Sequence, residues 1–203
     1  MMDNFAEKIV SVLADKFGGK ADGAAKWDVC VVVPNENLHA AVEYLKNEAP
    51  AKMEMLLDVA GIDYLTYPNH EGPRFAVSYS FKSMSTVGAR IRLKVLVGES
   101  DLKVQSVTDL YRSADWLERE VFDQYGITFA GHPDLRRILN HVEFQGHPLR
   151  KDYPAHKRQW LSTSDFLLPA LEQRLESKGY KIVQRSEEID PVDEDFLEGS
   201  IKA

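Results

Sequence analysis

Apolar side chains at Phe5, Ile9, Val12 and Leu13 share one face of a helical wheel, which predicts an amphipathic helix over 3–17 ended by Gly18 and Gly19. The run "WDVCVVV" (27–33) is continuously apolar and β-branched, the pattern of a strand covered on both faces, and Pro34 stops it. Asn35 can cap a helix extending to about 48, where Leu38, Ala41, Val42 and Leu45 repeat at helical spacing. Residues 54–67, "EMLLDVAGIDYLTY", mix preferences and read as a short helix turning into a strand after Gly61. Next, "RFAVSYSFKS" (74–83) alternates Phe75, Val77, Tyr79 and Phe81. "RIRLKVLVG" (90–98) alternates Ile91, Leu93, Val95 and Val97 inward against Arg90, Arg92 and Lys94 outward. The short linker joins these two as an antiparallel hairpin. Helices together with such a hairpin argue for an α+β two-layer sandwich: a mostly antiparallel sheet with helices on one face.

A further helix follows in "ADWLEREVFDQYG". Ser113 can cap it, Asp115 and Glu118 complement its positive end, and Gly126 can close it in a left-handed turn. Beyond Gly126 the periodicity dissolves, with prolines at 133, 148 and 154 across residues 127–163. That stretch nevertheless carries Ile127, Phe129, Leu135, Ile138, Leu139, Val142, Phe144 and Leu149. Long irregular loops are uncommon in compact domains unless functional or disordered, and this one is too apolar for disorder. It reads as an extended C-terminal arm that binds a partner. A last helix begins near 164 and is kinked or started at Pro169. The expected division is a compact domain over 1–126, an arm over 127–163, and a helix with an acidic tail over 164–203.

With 203 residues, 44% apolar and 28% charged, the chain has the composition of a globular protein. No run approaches the roughly 18 apolar residues of a membrane span, and the acidic start fits neither a secretory signal nor a transit peptide. The net charge is −7, and from 186 onward seven acids face only Lys202, so six of those charges sit in the tail. Such a balance is unlike that of a free nucleic-acid binder. Cys30 is the only cysteine, which excludes an internal disulfide, a zinc site of the usual cysteine type and a four-cysteine cluster.

Residues 126–160, "GITFAGHPDLRRILNHVEFQGHPLRKDYPAHKRQW", hold four of the six histidines and two copies of Gly-His-Pro, followed by Arg136-Arg137 and by Arg150-Lys151. No histidines stand at metal-binding helical spacing, and core or hydrogen-bonding histidines are the commoner reading. Paired arginines suit phosphates or carboxylates, and ordinary acids of this chain or of a partner meet that need as well. Glu118, Glu120 and Asp123, close on one helix, could tune a carboxylate for proton transfer. A structural network linking the helix to Arg136, Arg137 or Arg150 is the preferred reading.

At "ADWLEREVFDQYGITFAGHPDLRRIL" and "FQGHPLRKDYP" the chain resembles the 30-kilodalton subunit family of bacterial NADH–quinone oxidoreductase, respiratory complex I. Looser likeness runs upstream through "LLDVAGIDYL" and "RFAVSYSF", and the pattern departs after Pro154. The resemblance implies a compact domain with an arm that grips a large quinone-site subunit beside a small iron–sulfur subunit. It implies no flavin, cluster, quinone or metal site in this chain, those groups belonging to partner subunits, and no active site of its own. It implies peripheral attachment, through the complex, on the cytoplasmic side of the inner membrane. The residues it marks as structural or docking residues are Trp116, Glu118, Arg119, Glu120, Asp123, Gly126, Gly131, His132, Pro133, Arg136, Arg137, Gly146, His147, Pro148, Arg150 and Asp152. The resemblance also admits an equivalent subunit of a related membrane-bound hydrogenase or other dehydrogenase complex. From other classes, an independent RNA- or anion-binding module or an enzyme using Glu120 or Asp123 would also employ these residues.

Overall fold

The computed structural model describes residues 2–23, 29–68, 70–156, 159 and 162–180. The chain divides into two units, Met1–Arg158 and Gln159–Ala203. In the first, helix α1 (Met2–Phe17) precedes strands β1 (Lys20–Ala21) and β2 (Cys30–Val32). A 3₁₀ turn at Asn35–Asn37 leads into α2 (Leu38–Asn47), followed by β3 (Met55–Asp63), β4 (Phe75–Lys82) and β5 (Arg90–Val97). Short β6 (Lys103–Gln105), helix α3 (Ala114–Tyr125) and short β7 (Thr128–Ala130) complete it. The second unit contains α4 (Ser162–Glu176), with Pro169 inside it.

Among the described residues, five strands make the main sheet in the order β1-β2-β5-β4-β3, in which only β2 and β5 run parallel. Cross-strand register sorts its two faces. Val59, Tyr79 and Leu93 are aligned, as are Leu56, Phe81 and Ile91, and all six are buried. They share one core with Ile9 and Leu13 of α1, Leu38, Val42 and Leu45 of α2, and Val121 of α3. Each fully buried large apolar side chain of this set stabilises the fold by about 1.5–3 kcal/mol. Arg90, Arg92 and Lys94 alternate onto the opposite face, as the period-two pattern requires. The two-layer α+β sandwich with a mostly antiparallel sheet is therefore present.

Several local expectations require correction. Residues 55–61 form strand, not helix: a bulge between Leu56 and Asp58 puts Leu56 and Val59 on the same face at a spacing of three, which imitates helical periodicity. Asn35 caps nothing; its amide donates to the Lys103 carbonyl at 2.7 Å. Ser113 occupies the residue before α3 but makes no capping hydrogen bond, its hydroxyl donating instead to the Leu56 carbonyl at 3.4 Å. Gly126 does close α3 in the left-handed region, at φ 76°. Of the strand expected over 27–33, Trp27 and Asp28 lie outside the described residues, as does the acidic tail beyond 180.

Candidate functional site

Helix α3 ends in a carboxylate that organises the loop after it. Asp123 is fully buried, and its Oδ2 accepts the backbone N–H groups of Ile138, Leu139 and Asn140 at 3.1, 2.8 and 2.8 Å. Its Oδ1 accepts from the Asn140 side-chain amide at 2.9 Å and from Arg137 at 2.7 Å. Burial alone would raise the pKa of this carboxyl, but the donors, Asn140 and Arg137 foremost, outweigh it and hold it at about 2. One side chain thus folds three successive peptide groups around itself.

Both Gly-His-Pro copies turn back onto α3. His132 points its Nε2 at the Asp115 carbonyl (3.1 Å) and carboxylate (3.3 Å) in the first turn, while its Nδ1 accepts the Asp134 N–H. His147 Nδ1 donates to the Asp123 carbonyl at 3.0 Å, toward the other end of the helix. Burial pushes the His147 pKa below its ordinary value, so the ring is neutral near pH 7. Leu149 N–H donates to the Gln124 carbonyl and Arg150 Nε to the Tyr125 carbonyl at 2.6 Å. The last carbonyls of α3, which a helix cannot satisfy itself, thereby find donors in the loop. Gly126 permits this closure: a β-carbon there would stand 2.5 Å from His147 Nε2 and 2.6 Å from Arg150 Nη2, in a backbone conformation that already disfavours side chains.

The remaining expected residues fall into two groups. Arg119 donates to the Arg136 carbonyl at 3.2 Å and lies over the Trp116 ring, Arg137 also donates to the Gly146 carbonyl, and Asp152 pairs with Arg74 at 2.9 Å. Trp116, Glu120, Gly131, Pro133 and Arg136 are exposed, and Pro148 is partly buried. Glu118 stands apart, fully buried, accepting the Val107 N–H at 2.8 Å and the Ser106 hydroxyl at 2.7 Å. Burial pushes its pKa up to about 7.

Sequence reading missed the second anchor. Asp63 ends β3, and Arg74 immediately precedes β4; they form a two-toothed pair at 3.0 Å for both contacts. Asp63 Oδ2 also accepts the Lys151 N–H at 2.8 Å, and Arg74 reaches Glu99 at 2.6 Å. Opposite charges at facing ends of successive strands were the available signal. The loop is therefore fixed to the sheet at its far end as well as to α3. The arm-like segment, as far as residue 158, belongs to the first unit. Arg137, Arg150 and Asp152, expected to bond across an interface, meet groups of their own chain; of the ion pairs expected for the acids of α3, Arg137–Asp123 is present, while Arg150 bonds the Tyr125 carbonyl and Asp152 pairs with Arg74. Apolar side chains nevertheless remain outward on the loop: Leu139 is 64% exposed, Val142 91% and Leu149 48%, beside the surface pair Arg136–Asp134 and exposed Glu143 and Lys151.

Among the described residues no group of three or more His, Cys, Asp or Glu side chains could hold a metal ion. His132 and His147 bond the carbonyls of Asp115 and Asp123, which keeps the two rings at positions roughly 12 Å apart along the axis of α3. Among the described residues no helix is long and apolar enough to cross a membrane.

Residues 31–159 match the family described as "Respiratory-chain NADH dehydrogenase, 30 Kd subunit". A NADH-quinone oxidoreductase subunit of Ruegeria pomeroyi is 44% identical over 140 residues, covering 66% of this chain and 67% of that protein. NADH-quinone oxidoreductase subunit 5 of Thermus thermophilus is 45% identical over 128 residues, covering 61% of this chain but only 60% of that protein. A NADH-quinone oxidoreductase subunit of Neisseria meningitidis is 40% identical over 157 residues, 76% of this chain and 73% of that one. Among solved structures, the trypsin-resistant fragment (1-134) of Nqo5 matches with a TM-score of 0.56 at 36% identity, covering 64% of this chain and 99% of the fragment. A chain of the membrane-bound sulfane sulfur reductase, an archaeal respiratory membrane complex, shares the fold with a TM-score of 0.58 at 21% identity, over 91% of this chain and 95% of that one. With more than half of its length matched, the chain belongs to the family of the respiratory-chain NADH dehydrogenase 30-kilodalton subunit.

Proposed function

We propose that the chain is a cofactor-free assembly subunit in the peripheral arm of a membrane-associated, proton-translocating NADH–quinone oxidoreductase. In this reading it braces the quinone-reducing module by docking on the large quinone-site subunit, next to the small iron–sulfur subunit. It would be attached peripherally, through those partners, on the cytoplasmic side of the inner membrane.

One observation carries the docking: a long irregular loop whose Arg137 and Arg150 bond within the chain, yet which presents Leu139, Val142 and Leu149 to solvent. The interior bonds hold the backbone in a single shape before any partner arrives, which lowers the entropy lost on association. Exposed apolar side chains flanked by charged ones, Arg136, Glu143 and Lys151 among them, suit an interface with an apolar centre and a polar rim. One member of each basic pair that an RNA- or phosphate-binding reading would employ is engaged instead: Arg137 by Asp123, and Arg150 by the end of α3.

The test is a tagged pull-down from mildly solubilised membranes, with mass spectrometry and a visible spectrum of the eluate. Co-elution with a large quinone-module subunit and with flavin and iron–sulfur absorbance is the expected result. Replacing Leu139 and Val142 by aspartate should reduce that recovery at least tenfold, while the circular dichroism of the isolated chain is unchanged. A colourless chain recovered alone would overturn the assignment.

A further inference from the structure

The hairpin end of the sheet combines features that the docking loop does not explain. Met55, Lys82 and Arg90 lie side by side across β3, β4 and β5, and residues 83–89 turn the chain between the last two. At this turn Val87 is 99% exposed and Met84 63%, and Met55 beside it is 45% exposed. The turn is braced. Glu54, immediately before β3, accepts the Met84 N–H at 2.8 Å and the Ser83 hydroxyl at 3.3 Å. Ser83 is itself buried; its oxygen accepts the Thr86 N–H at 3.0 Å, and its N–H donates to the Ala89 carbonyl. Met84 and Val87 are thus displayed on a fixed frame.

The rim is positive. Lys52, Lys82, Arg90 and Arg112 form no ion pair among the described residues. Of the nearby acids, Glu54 is occupied by the turn, and Asp58 is exposed two rows further along the sheet. Beside Met55 runs a groove of about 370 Å³ lined by Lys46, Leu110, Tyr111 and Arg112.

We propose that this end of the sheet is a second docking surface, and that its occupant is an apolar socket edged with carboxylates on a neighbouring protein subunit. The proposal rests on the reading of the chain as a subunit of a larger complex. Methionines adapt to the shape of a partner, and a braced turn loses little entropy when it is covered. Unpaired cations around the apolar tip select an acidic surround and disfavour a second copy of the same surface. A groove beside the tip can receive side chains from a folded protein, whereas a flat lipid surface would leave it unfilled.

The native methionines report on the surface, and hydroxyl-radical footprinting reads them in the free chain and in the purified complex. Met84 and Met55 should oxidise at least tenfold more slowly in the complex, with buried Met53 slow in both samples. The double variant K82E/R90E should restore their oxidation or reduce the recovery of the chain with the complex. Unchanged oxidation in a complex that has formed would overturn this proposal and leave the loop reading intact. No complex at all would overturn both. Protection of the free chain by phosphatidylglycerol vesicles, or protection that grows with its own concentration, would replace the protein partner by lipid or by a second copy. Protection that survives K82E/R90E would overturn the carboxylate edge.

Discussion

Glu118 is a buried acid in conflict with its surroundings, and the conflict has a definite sign. Desolvation raises its pKa from 4.5 to about 7, even though the Val107 N–H and the Ser106 hydroxyl favour the charged form. The folded state therefore binds the Glu118 proton more tightly than the unfolded chain does. Its contribution to stability is full at pH values below the ordinary carboxylate range and is lost as pH rises through about 7. Glu118→Gln keeps the shape and an acceptor for Val107 while removing the charge. The variant should be more stable than the parent at pH 8 by about 1–3 kcal/mol, and its stability should vary less between pH 5 and 8. Urea unfolding at both pH values measures this; a variant equally destabilised at both would show that the carboxylate is held ionised. Gly61 is a second point of residue-scale constraint, because a β-carbon there would stand 2.4 Å from the Tyr125 ring. Gly61→Ala should lower stability by about 1–3 kcal/mol, read as a shifted denaturation midpoint, since α3 must move off β3 to admit it.

At the scale of the element, the loop after α3 behaves as part of the helix it caps. Asp123 takes donors from residues 137–140, and Asp63 takes one from Lys151. Asp123→Ala should raise amide exchange at Ile138, Leu139 and Asn140 by at least a hundredfold, roughly 3 kcal/mol of local stability, while the amides of β4 stay protected. Both carboxyls have pKa values depressed to about 2 although burial opposes it. Their support is thus fully present above the ordinary carboxylate pKa near 4 and disappears as pH falls through about 2. Acid should release the loop ahead of the core, visible as exposure of Phe144 and Tyr153 before the sheet unfolds. The periodic elements were readable from sequence because burial repeats at 2.0 or 3.6 residues. The bulged start of β3 and the inward bonding of the loop were not, since both depend on contacts between residues far apart along the chain. His132 and His147 illustrate this: each Gly-His-Pro looks like a display element until α3 is placed between them.

For the whole molecule, the sandwich was legible in the periodic pattern, and the family in the residues of 113–154. The roles within that region divided differently from expectation. Arg137, Arg150 and Asp152 build the loop, while Leu139, Val142 and Leu149 are its exposed apolar side chains. Arg150→Ala should consequently weaken assembly indirectly, by loosening residues 147–152, and hydrogen exchange of the free chain would already detect the change. The most direct test of the docking role is a photoreactive benzoyl-phenylalanine placed at Val142 in the assembled complex and irradiated. A single dominant cross-link to the large quinone-site subunit is the predicted result. Val142 cross-linking to nothing in an intact complex, or only to a subunit outside the quinone module, would contradict it.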